Sequence, residues 1–213
     1  MFLTTTNTGR CALARRYPAL RWRRVGRCRR RFAATVLAAL VSATGASLLS
    51  GQASASGEYQ MKAALLFHFA QFVDWPSETF KDLSDPLTYC TIGDDPFRGA
   101  LDETLSGKSV GCRPLRIQHF KQPQEIQGCH ILFIGAGEQN LLRALLAHVS
   151  GHAILTVGES DHFAKEGGII GFCLQDNKIR FEINLDPAEK AKLRISAKLL
   201  ALAKTVMGNP RGT

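Results

Sequence analysis

Residues 129–134 read Cys-His-Ile-Leu-Phe-Ile and are bracketed by Gly128 before and Gly135 after. Five of the six are apolar, so the run lacks the alternation of a strand with one wet face. It is also too short for a helix that is apolar all round. Such a run fits an interior strand of a parallel sheet, buried on both faces. Neighbouring stretches repeat the logic. Residues 87–92 (LTYCTI) form a second buried strand ending at Gly93, and residues 153–157 (AILTV) a third. Residues 115–120 alternate as a strand does. Helical patterns lie between them. Met61, Ala64, Leu65, Phe69, Phe72 and Val73 recur three and four apart, predicting a first helix over 56–75 that stops before Pro76. Asp95-Pro96 predicts a cap and first turn of a helix running to about Leu105, and 138–149 is amphipathic. Residues 168–174 and 178–184 flank Gln175-Asp176-Asn177-Lys178 as a hairpin would, and Asp186-Pro187 predicts the start of one long final helix. Alternating strands and helices followed by a hairpin argue for an α/β three-layer sandwich. Its sheet is mainly parallel with a C-terminal antiparallel hairpin, and helices cover both faces.

The net charge of +9 is concentrated at one end. Residues 1–55 hold ten arginines and no Asp or Glu, which leaves 17 Lys+Arg against 18 Asp+Glu for the remainder. A near-neutral remainder does not suit a nucleic-acid or anionic-lipid surface. The leader reads as a cleavable signal: an Arg-rich segment to Arg31, an apolar stretch from Phe32 to Leu49, then Ala53-Ser54-Ala55 as an A-x-A site. Ser42, Thr44, Gly45 and Ser47 interrupt the apolar stretch and weaken it as an uncleaved anchor. Arg29-Arg30-Arg31-Phe32 also resembles a twin-arginine signal. The expected working part is a single domain over 56–213, without a membrane span, outside the cytoplasm. Its four cysteines, Cys90, Cys112, Cys129 and Cys173, allow three full pairings.

Chemistry-bearing motifs are weak. Gly135-Ala136-Gly137 stands between a strand and a helix as half a dinucleotide fingerprint, but Asn140 replaces the third glycine, and a tight turn is the preferred reading. His148 and His152 have helical metal-pair spacing, with Ser150-Gly151 breaking the helix between them. Residues 158–162 (GESDH) gather Ser, Asp and His, yet His162 occupies the second glycine of a nucleophile elbow. No catalytic residue, metal or cofactor is expected. The loops carrying Asp94, Asp95, Gly135, Gly158, Glu159 and Ser160 follow buried strands, where ligands of open α/β sheets bind, so they are candidate partner or ligand loops. Phe67, Phe69, Phe72 and Trp75 cover more of the first helix than one core-facing stripe needs, and are a candidate interface.

The strings EYQMKAALLFHFAQFVDWP (58–76), CTIGDDPF (90–97), GCHILFIG (128–135), ILTVGES (154–160), GGIIGF (167–172) and FEIN (181–184) together resemble the YfiR family. The resemblance implies an exported α/β domain, often dimeric. It also implies binding to the periplasmic sensor domain of a membrane-anchored diguanylate cyclase, holding that enzyme off. The alternative is a small-ligand-binding domain or a sensor for another membrane system. The resemblance also carries a cysteine at the positions of Cys90 and Cys129. Those positions lie in strands expected to be neighbours, so a Cys90–Cys129 disulfide is expected. Cys112 and Cys173 then form a second pair or remain buried thiols. If the leader is cleaved after Ala55, N-terminal sequencing of exported protein will begin at Ser56. A stable full-length species in the membrane fraction would contradict cleavage.

Overall fold

The structure, a computed structural model, describes residues 52–208, with side chains from Gly57 onward. The leader, the Ser56 boundary and the last five residues therefore lie outside what it describes in full.

The chain opens with helix α1 (Gln52–Gln71) and a short strand β1 (Val73–Asp74). Strand β2 (Leu87–Ile92), helix α2 (Ala100–Leu105), strands β3 (Ser109–Val110) and β4 (Arg113–Phe120), and strand β5 (Ile131–Ile134) follow. Then come helix α3 (Leu142–Val149), strand β6 (Leu155–Gly158) and the hairpin β7 (Ile170–Gln175) and β8 (Lys178–Asn184). Helix α4 (Leu185–Lys190), strand β9 (Arg194–Ile195), helix α5 (Ala197–Leu202) and strand β10 (Thr205–Met207) close the described chain. The main sheet has the order β10-β8-β7-β6-β5-β2-β4-β3. Strands β4, β2, β5, β6 and β7 are mutually parallel. Strand β8 turns antiparallel to β7, as the expected hairpin requires.

Every residue of β2, β5 and β6 is buried. Alternate side chains feed two cores. Leu87, Tyr89, Ile131, Phe133, Leu155 and Val157 pack under α1, α2 and the C-terminal helices. Cys90, Ile92, Leu132 and Ile134 pack against Leu142, Leu145, Leu146 and Val149 of α3, with Phe163 beside them. This is the three-layer arrangement expected from the runs of 87–92 and 129–134. Phe163 closes one end of the second core, and its ring lies directly against Gly158 and Gly168. A Cβ at either glycine would overlap the ring.

Several boundaries differ from expectation. Helix α1 ends at Gln71 rather than Trp75, because Val73-Asp74 pairs antiparallel with Ile195-Arg194. Helix α2 starts only at Ala100, after Gly99 in a left-handed conformation (φ 90°). Asp95 instead closes a local turn, its Oδ1 accepting from the Phe97 N–H at 3.1 Å. The 138–149 segment begins as a 3₁₀ turn, Ala136–Glu138, before α3. The long final helix is in fact α4 and α5 separated by β9. Asn184, not Asp186, caps α4, and Lys192 turns the chain at φ 55°. Ser196 then caps α5 by accepting from Leu199. Gly151 adopts φ 78° just past α3, so His148 and His152 do not share a helix.

The Cys90–Cys129 disulfide is present, with Cα atoms 6.0 Å apart. It ties β2 to the entry of β5. A Cys112–Cys173 pair is not formed. Cys112 lies in the β3–β4 turn and Cys173 on β7, and β4 and β7 are four strand spacings apart, about 19 Å, far beyond the span of a disulfide. Burial raises the Cys173 thiol above its usual pKa. The observed bridge closes a sequence separation of 39. The chain-entropy relation assigns such a ring roughly 4 kcal/mol. Replacing Cys90 and Cys129 by Ala or Ser should therefore lower the melting temperature by about 10 °C. Calorimetry with and without reductant on both proteins checks this, and an unchanged melting temperature would contradict it.

Candidate functional site

Strand β2 has β4 on one side and β5 on the other, so the connections leaving β2 and β5 diverge. A crevice at the carboxyl ends of the strands follows from that reversal. The cleft found there measures about 830 Å³. The β2 loop contributes Asp94, Asp95, Phe97 and Arg98, and the β5 loop contributes residues 135–138. Glu103 of α2, Tyr59 of α1 and Glu159 also line it. The β2 loop is held down by Phe97, which is 3% exposed and stands edge-on to Tyr59 (5.6 Å) and Phe133 (4.7 Å). Gly93 (φ 76°) lets the Glu138 carboxylate lie against the backbone, where a Cβ would overlap it. Carboxylates dominate the lining, with Arg98 beside them, so the cleft favours cationic or neutral polar groups over anions.

One end of the cleft is fixed by a buried ion pair. The Lys62 Nζ donates to Glu159 Oε2 at 2.5 Å and lies 2.6 Å from Glu58 Oε1. The Tyr59 hydroxyl (3.1 Å) and the Ala136 N–H (3.2 Å) both donate to Glu159 Oε1. Burial works against the Lys62 charge, but the hydrogen bonds it donates to the Glu159 and Glu58 carboxylates outweigh it and hold the ammonium pKa above its usual value. Burial, with the Glu159 charge beside it, raises the Tyr59 phenol. The turn that resembled half a dinucleotide fingerprint thus donates its Ala136 N–H to the chain's own carboxylate. A phosphate approaching that amide would meet Glu159.

Of the six candidate loop residues, the fold brings Asp94, Asp95, Gly135 and Glu159 to one cleft. Gly158 is instead the buried last residue of β6, packed under Phe163. Ser160 is 6% exposed and its Oγ has no hydrogen-bond partner, so it is not activated by His162. The four aromatic residues do not form one interface either. Phe69 is core, against Phe172 and Phe181. Phe67 is half-buried on α1, with the Lys108 ammonium 4.7 Å over its ring. Phe72 and Trp75 lie beyond the helix end, and Trp75 lines a separate cavity of about 470 Å³ with Phe80, Leu83 and Arg113. There the Arg113 guanidinium stacks 3.6 Å from the Phe80 ring, which stacks in turn on His130 at 4.6 Å. Burial and the nearby Arg113 charge lower the His130 pKa to about 4.

Tyr59, Lys62, Arg98, Glu103 and Glu138 were not singled out in the sequence. Only Lys62 left a local signal there, as a lysine four residues after Glu58 inside an otherwise apolar helix face.

Residues 59–204 match the YfiR/HmsC-like protein family. The chain belongs to that family. The matched segment runs from Tyr59 of the ion-pair cluster to Lys204 before β10, so the cleft of this YfiR/HmsC-like chain lies wholly within it. Its fold is also similar to a solved structure described as a conserved domain protein from Vibrio cholerae, with a TM-score of 0.48 and 8% identity. The likeness covers 70% of this chain and 60% of the Vibrio chain, so it spans about three-fifths of that protein's length.

The Lys62 pair makes a sharp stability prediction. Lys62→Met leaves Glu159 buried beside Glu58 without a cation and should cost about 3–5 kcal/mol. Adding Glu159→Leu to Lys62→Met should recover a large part of that loss. Urea denaturation of the two variants checks the sign, and a double variant less stable than the single would refute it.

Proposed function

We propose that this chain is a periplasmic regulatory binding protein that restrains a membrane-anchored sensor enzyme, a diguanylate cyclase in the first instance. Membership of the YfiR/HmsC-like family over 59–204 carries the reading. The family resemblance supplies the partner class, the periplasmic location and a homodimeric state. Among the described residues, no helix is long and apolar enough to cross a membrane, which accords with a domain that meets its partner from outside the bilayer. Restraint requires binding energy that differs between the partner's two conformations, because equal affinity for both shifts nothing. Moving a cyclase from almost wholly active to almost wholly inactive takes about a 10⁴-fold preference for the inactive state. The reading assigns the chain no reaction of its own.

A second reading, a small-ligand sensor, is favoured by one observation: the cleft of about 830 Å³ lies at the reversal of strand order between β2 and β5. That is where open α/β sheets hold ligands.

Deletion should raise cyclic-di-GMP and biofilm formation, and overexpression should lower both. Mass-spectrometric quantitation of cyclic-di-GMP in the two strains is the measurement. Unchanged levels while the protein is folded and exported would overturn the cyclase reading and move the ligand-sensor reading ahead.

A further inference from the structure

The two edges of the main sheet are finished differently. At one edge, β10 is three residues long, and a short edge strand offers little for another chain to pair with. At the other, β4 runs for eight residues. Its inner side pairs with β2 throughout 115–120, but β3 covers its outer side only at Pro114 and Arg113. Among the described residues no strand covers the outer side of Leu115, Arg116, Ile117, Gln118, His119 and Phe120. At about 3.3 Å per residue, this is roughly 20 Å of open edge. Pro114, the residue that would block a ladder, lies in the part β3 already covers.

The open edge has a definite chemical character. Residues 109–124 contain Arg113, Arg116, His119 and Lys121 and no Asp or Glu. Arg113 is turned inward to the carbonyls of Asp82 (2.7 Å) and Asp85 (3.1 Å). Arg116, His119 and Lys121 are exposed. Glu125, the next acid along the chain, is occupied by the Lys121 and Gln122 N–H groups. Leu115 and Ile117 pack against one core and Phe120 against the other, so an added strand would extend both apolar faces of the sheet. The Gln118 Oε1 is buried with no donor. An edge of this kind is completed by an extended segment whose own N–H and C=O groups continue the ladder.

We propose that the 115–120 edge of β4 is a docking site for an extended, acidic segment of a partner protein, added to the sheet as a further strand with its carboxylates against Arg116 and Lys121. A second copy of this chain fits worse. It would bring the same Arg116 and Lys121 and no carboxylate to the edge, so neither cation would gain a partner. The inference rests on the reading of this chain as a binding protein and names the surface that reading uses.

Peptides of about ten residues, long enough to span the edge, test it: one repeating Val-Glu-Glu, which presents carboxylates on both faces of an added strand as Arg116 and Lys121 require, the other repeating Val-Lys-Lys. With the isotope-labelled exported chain, the acidic peptide should perturb the amide resonances of residues 115–120 and leave those of Thr205–Met207 unchanged. Two charge contacts should make it bind about tenfold tighter than the basic peptide, and Arg116→Glu with Lys121→Glu should reverse the order. Equal binding of both peptides, perturbation away from 115–120, or protection of this edge by self-association would each overturn the proposal. A parallel measurement separates it from the function it rests on. If deletion raises cyclic-di-GMP but the folded, exported R116E/K121E variant restrains it normally, the docking edge is wrong and the regulatory reading stands. If the edge binds the acidic peptide as expected but deletion changes nothing, the regulatory reading fails alone.

Discussion

The structure depends on one constraint: β2, β5 and β6 have no side that meets water. Fourteen consecutive-strand positions in three short runs are all buried, so both sheet faces need a covering layer. Helices α1 and α2 with the C-terminal helices cover one face, and α3 with the Phe163 segment covers the other. With both faces occupied, the parts of the central sheet open to other molecules are the ends of its strands and its edges. The cleft at the carboxyl ends of β2 and β5 and the uncovered side of β4 follow from that exclusion. At 6.0 Å between Cα atoms, the disulfide ties the two strands at whose carboxyl ends the order reverses.

The buried ion pair serves the same end of the molecule. Lys62 and Glu159 are 97 residues apart in sequence, and their contact joins α1 to the loop after β6. Through Ala136 it also holds the loop after β5. A charged pair in such a place costs desolvation and is a poor source of net stability compared with apolar side chains of similar size. It does fix which groups meet. Two loops and a helix meet at one carboxylate, and the surrounding lining stays acidic because the nearest buried cation is already engaged.

What the sequence made legible follows from how local each cause is. The central strands could be read because double-sided burial leaves an unbroken apolar run in 87–92 and 131–134. The β7–β8 hairpin could be read because Asp176 and Asn177 supply two adjacent residues of a kind that tolerates left-handed backbone, and both adopt it, at φ 51° and 55°. The last segment misled because Asp186-Pro187 does begin a helix. What ends that helix is Lys192 at φ 55°, a conformation no composition rule assigns to lysine, and the pairing of Arg194-Ile195 with Asp74-Val73 from the other end of the domain. The same holds for the site. Asp94, Asp95 and Gly135 could be named because they follow buried strands. Lys62, Glu138 and Glu103 could not, because only the folded chain brings them to those loops. Ser160 and Gly158 carried the same positional signal as Glu159, but only the Glu159 side chain reaches the cleft, whereas Ser160 is buried and Gly158, which has no side chain, lies under the Phe163 ring.

Phe163 packed between Gly158 and Gly168 has a consequence for how this domain can change over generations. The three positions form one unit of exchange rather than three. Any side chain at 158 or 168 is barred while the ring is in place, because the ring atoms are the nearest that a Cβ at either position would meet. Substitutions here therefore have an obligatory order, with 163 shrinking first and passing through a sequence that carries a void. The void is the less harmful of the two intermediates, since a cavity can partly collapse whereas two groups cannot share one space. Relatives should accordingly fall into two sets, those with an aromatic ring flanked by glycines and those with neither, and few should lie between.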